Sequence, residues 1–136
     1  MAEVKMSLEQ AEKEFEKWAE IHGLSFDEKI KDKVEKPKKR VMDAFMNGSL
    51  ILKDNGKLNY TVSKFSPQGY AGDDVEISGM TGKAWMAMDS YKDDQQIHQL
   101  IAVASAVTGK DVGWFANLAN TDFLFFTNLI ALFTIA

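Results

Sequence analysis

Apolar positions recur first at helical spacing. Leu8, Ala11, Phe15, Trp18 and His22 fall three and four residues apart, the stripe of an amphipathic helix. Ser7 and Gln10 form a capping box ahead of it, and Gly23 ends it. Ser25 and Glu28 repeat the capping signature, and Phe26, Ile30, Val34, Val41 and Phe45 keep one phase. Pro37 falls inside that stripe. It has no amide hydrogen and disfavours helix at Lys36, so the pattern predicts a broken or kinked pair over 26–35 and 38–46.

The period then shortens to two. Leu58, Tyr60 and Val62 alternate with Asn59, Thr61 and Ser63, so a strand with one buried face is expected. Asn55-Gly56 separates it from Leu50-Ile51-Leu52 and predicts a two-residue type I′ hairpin, with positive φ at both turn residues. Pro67, Gly69 and Gly72 mark a loop over 66–74, and Val75 to Ser78 read as a third short strand. Thr81 caps a helix expected to turn Ala84, Trp85, Met88 and Tyr91 inward.

Three helices follow, over 94–108, 111–118 and from Thr121 to near the C-terminus. Ile97, Leu100, Ile101, Ala104 and Val107 make the stripe of the first, and Gly109 is its C-terminal cap. Asp111 caps the second. Thr121 and Asp122 open the third, where a hydroxyl and a negative charge suit free amides and the positive dipole end. That helix is apolar on nearly every side, broken only by Thr127, Asn128 and Thr134. A helix of this kind must be covered all round. One small core is not expected to cover it, so Phe123, Phe125, Phe126, Leu129, Leu132 and Phe133 are the candidate partner or homo-oligomer interface, with Leu124, Ala131 and Ile135 extending the apolar surface. The expected fold is one mainly α (α+β) domain over 1–136. It comprises an N-terminal helical segment (1–48), a small antiparallel β element (49–80) and a C-terminal helical bundle (81–136).

Composition narrows the function classes. The chain has 136 residues, no cysteine and a net charge of −4. Disulfides, thiolate metal sites and cysteine nucleophiles are excluded. Residues 1–57 hold 12 basic and 12 acidic side chains, whereas 58–136 hold 4 and 8, so the net charge belongs to the C-terminal part. From Asp94 onward the single cation is Lys110, too few for phosphate contacts by a helix-turn-helix around Thr108 to Asp111, and no nucleic-acid partner is expected. The charged N-terminus lacks the apolar stretch of a signal peptide, and the last apolar run is shorter than the roughly 20 residues of a membrane span, so a cytoplasmic protein without a membrane partner is expected.

Candidate chemistry is sparse. His22 and His98 lie far apart in sequence and read as ordinary histidines. Asp73-Asp74 and Asp93-Asp94 read as a loop pair and a helix-start pair rather than as acid–base or metal-binding carboxylates. No phosphate-cradling glycine loop is present. Lys36-Pro37-Lys38-Lys39-Arg40 is flanked by Asp32, Glu35 and Asp43 and reads as a solvated helix face able to meet an acidic partner. Neither catalytic residues nor a cofactor or metal site are expected, and the chain is read as a non-enzyme.

One order of features resembles a known family. Val75-Glu76-Ile77 with Met80-Thr81-Gly82 precede Leu100-Ile101-Ala102 and Val107-Thr108-Gly109, and Leu118-Ala119-Asn120-Thr121-Asp122-Phe123 then opens the apolar helix through Phe133. This half resembles the small tail assembly chaperones of contractile-tailed bacteriophages and prophages. The resemblance implies a non-enzymatic factor that coats the long, helical tape measure protein and keeps it soluble until tube subunits polymerise around it. The alternatives are a structural subunit of a tail or similar assembly, and a small cytoplasmic enzyme or regulator.

Overall fold

A computed structural model describes residues 5–92 and 94–135, with the side chains of Ser90 and Ile135 outside that description. The expectations for Asp93 and for the side chain of Ile135 therefore lie outside the described residues. The fold is mainly α, with six α-helices and a three-stranded antiparallel sheet of order β1-β2-β3 among the described residues.

Helix α1 (Leu8–Ile21) starts where the pattern places it. The Gln10 amide donates to Ser7 Oγ at 3.2 Å and the Ser7 amide to Gln10 Oε1 at 3.3 Å, a complete capping box. Ala11, Phe15 and Trp18 are buried, while Leu8, on the same predicted stripe, is exposed. Helix α2 (Lys31–Met46) corrects the expected break: it runs through Pro37 without interruption. Its approach is a single 3-10 turn, Glu28–Ile30, capped by Asp27 rather than Ser25. A proline inside a helix costs roughly 3 kcal/mol. Here Pro37 is buried and its neighbours Val34, Val41, Ala44 and Phe45 belong to one apolar core, and that packing outweighs the lost backbone bond.

Strands β1 (Leu50–Leu52) and β2 (Leu58–Thr61) pair in the predicted register, Leu52 opposite Leu58 and Leu50 opposite Tyr60. The turn between them differs. Among the described residues no non-glycine has positive φ, so Asn55 is not in a type I′ turn. The Gly56 amide donates to the Lys53 carbonyl at 3.0 Å, and the Lys53 amide to the Lys57 carbonyl at 2.9 Å. These bonds make a three-residue loop closed by Gly56 at φ +85°. Asn55 Oδ1 accepts from the Lys57 amide at 3.0 Å, and that bond fixes the longer turn. Strand β3 (Asp74–Ile77) pairs antiparallel with β2, completing the sheet.

Helix α3 (Gly82–Ala87) begins at Thr81, whose Oγ1 accepts from the Ala84 amide at 3.3 Å. Helix α4 (Gln96–Thr108) ends at Gly109, left-handed at φ +78°. Helix α5 (Val112–Ala116) is capped by Asp111, and α6 (Asn120–Ile135) follows.

Helix α6 is the central element. Helices α2 and α4 pack along it. Trp18 of α1 meets Phe133 edge-on at 5.2 Å, and Phe115 of α5 meets Phe126 at 5.1 Å. From the sheet, Tyr60 stacks flat on Phe125 at 3.9 Å and 6°. Four helices and the sheet thus reach it. This corrects the expectation that one small core would leave a side of α6 bare.

Candidate functional site

The residues proposed as an interface lie mostly inside the chain. Phe125, Phe126, Leu129, Leu132 and Phe133 are each 0–2% exposed, and only Phe123 is half-buried. Partner contact through those five would require the core to open, so the structure assigns them to packing instead. The cover comes from elements distant in sequence, with α1, α2 and the sheet closing the sides that α4 and α5 leave.

The polar interior is organised by Asp122, which is completely buried in the first turn of α6. Its Oδ1 accepts from the Tyr60 hydroxyl at 2.6 Å and the Ser63 amide at 3.0 Å. Its Oδ2 accepts from Ser63 Oγ at 2.7 Å and Ser66 Oγ at 2.5 Å. Ser66 Oγ also accepts from the Ala119 amide at 2.9 Å. Four hydrogen-bond donors satisfy this carboxylate. Burial first, then the bond to Asp122, push the Tyr60 hydroxyl well above the ordinary phenol range. It therefore stays protonated and remains a donor. The cluster fastens the 63–73 loop to the α5–α6 junction. The same loop is tied to α5, where Tyr70 packs on Trp114 at 5.9 Å and accepts from Asn117 Nδ2 at 3.2 Å. Asp122 stands in the first turn of α6 as expected, and its hydrogen bonds make it a structural latch as well. The available signal was one carboxylate opening an otherwise apolar helix, with Tyr60, Ser63 and Ser66 polar or hydroxylated near a strand end.

The other titratable candidates are dispersed. His22 Nε2 donates to the Gly56 carbonyl at 2.8 Å and its ring packs edge-on against Phe133, so it docks the hairpin turn onto α1. His98 is exposed and stacks on Tyr91 at 5.4 Å. Asp74 Oδ1 accepts from Thr61 Oγ1 at 2.8 Å across the strand pair. Hydrogen bonds from Lys53, then Lys57, hold the exposed Glu76 carboxyl below its usual range. Among the described residues no three His, Asp or Glu side chains gather as a metal-binding group, and no helix is long and apolar enough to cross a membrane.

What the core leaves outside is more informative. On α3, Ala84 is buried while Trp85 and Met86 are 44% and 70% exposed. Ile97, in the first turn of α4, is 53% exposed, and α3 packs against α4. The expectation that Trp85 faces inward is thereby corrected: α3 has a single buried position, and the indole lies beyond it. Phe65, 70% exposed, stands on the loop that Asp122 fastens.

Comparison of the chain with protein-family models, curated proteins and solved structures returns no match.

Proposed function

We propose that this chain is a non-enzymatic tail assembly chaperone of a contractile-tailed phage or prophage, which binds the tape measure protein and shields its apolar helices. The observation that carries the reading is the set of large apolar side chains left exposed on α3 and at the start of α4, Trp85, Met86 and Ile97. It lies within the stretch whose order of motifs resembles that family. Indole and thioether side chains suit a surface that must accept many turns of one long client, because they offer large contact area and adapt in shape. A helix presenting its apolar stripe to such a surface is a recurring recognition mode. The buried Asp122 carboxylate is engaged by four hydrogen bonds that hold a loop, a structural role that fits a binding module.

Co-expression with the tape measure protein encoded in the same genome tests this. The client should stay soluble and co-purify with the wild-type chain. With Trp85→Ser and Met86→Ser together it should aggregate, while the variant itself melts as wild type does, because surface substitutions usually change stability by less than about 0.5 kcal/mol. An insoluble client with the wild-type chain would remove the assignment. Retention of the chain in finished tails would point to a structural subunit instead.

A further inference from the structure

The basic run 36–40 is divided by the fold. Pro37 is buried. Lys38 turns toward α1, where Nζ lies 2.7 Å from Glu12 Oε1 and 5.2 Å above the Phe15 ring. Lys36, Lys39 and Arg40 take the other side and line a concavity of about 300 Å³ with Asp43 of α2 and Asn128 of α6. An adjoining hollow of about 210 Å³ shares Arg40 and Asp43 and continues past Asn47 and Thr121. Among the described residues none of these three cations forms an ion pair, Asp43 included, although Lys38 between them does.

We propose that this trough docks an acidic helical segment of a protein partner, with carboxylates three or four residues apart. Positions 36, 39 and 40 span one helical turn, about 6 Å of rise, which is the spacing of carboxylates on one face of a second helix. Arg40 is half-buried and can meet a carboxylate through two parallel bonds, and the Asn128 side chain lies beside it. A polyphosphate fits less well. Asp43 sits in the trough where a continuous phosphate backbone would run. Discrete carboxylates can straddle Asp43. The proposal stands independently of the chaperone reading, because its probe is synthetic.

The probe is a fluorescein-labelled alanine-based helical peptide with Glu at every fourth position, compared with its Gln counterpart by anisotropy at low salt. The Glu peptide should bind about tenfold more tightly than the Gln peptide, and Lys36→Gln, Lys39→Gln and Arg40→Gln together should remove that difference. Lys13→Gln with Lys17→Gln, on exposed positions of α1, should leave it unchanged. Circular dichroism and melting on each variant separate lost binding from lost fold. Equal binding of the two peptides, or a full difference in the triple variant, would overturn the proposal. So would displacement of the peptide by an equal charge of single-stranded DNA, which would assign the trough to nucleic acid.

Discussion

Asp122→Ala should destabilise the chain by about 3–5 kcal/mol in urea unfolding, a large part of the 5–15 kcal/mol typical of a domain. The magnitude follows from what is stranded. The Tyr60 and Ser66 hydroxyls lose their acceptor in the interior, and each buried unsatisfied group costs roughly 1–3 kcal/mol. Ser63 is half-buried and can recover part of its loss from water. Asp111→Ala is the internal reference. Among the described residues the Asp111 side chain accepts only from the Trp114 amide, at 2.9 Å and at an exposed helix start, so its loss should cost about 1 kcal/mol. If Asp122 were only a charge at a helix start, the two variants would cost about the same. A latch requires the threefold or larger gap, accompanied by faster amide exchange across 63–73.

The second large effect is at Phe126. This ring is fully buried and meets Tyr60, Phe115 and Phe125 edge-on at 5.1–5.3 Å. Phe126→Ala should cost about 3–5 kcal/mol and leave the wild-type and variant association states alike in sedimentation velocity. An interface phenylalanine behaves oppositely, keeping the monomer folded and weakening association. A stable Phe126→Ala variant that dissociates from a wild-type oligomer would return α6 to the surface.

Much of the fold was legible because its signals are local. The Ser7–Gln10 box, the Thr81 and Asp111 caps, Gly109 and the alternation through Leu58, Tyr60 and Val62 each act within a few residues. Most of the differences were decided at long range, although the Asn55–Lys57 bond and the Asp27 cap are local. Pro37 stays helical because of core packing that its neighbours in sequence do not reveal. Asn55-Gly56 takes a three-residue turn whose last residue docks on α1 through His22, 34 residues away. The Asp122 latch joins positions 56 to 62 residues apart. An all-round apolar helix was read correctly as needing cover, but periodicity cannot say whether the cover is a partner or the rest of the chain. For the same reason the sequence could not separate Trp85, which ends outside, from Trp18, which ends inside.

On the proposed chaperone reading, a client would meet the exposed apolar residues of α3 and the start of α4, while α6 serves as core. Hydrogen exchange of the free chain and of its complex with the tape measure protein tests it most directly. The account predicts that amides of 120–133 are already slow in the free chain and change little on binding. Slowing should concentrate in 82–88 and 96–101. Fast exchange through 123–133 in the free chain, with client-induced protection there and none on α3 or the start of α4, would contradict it.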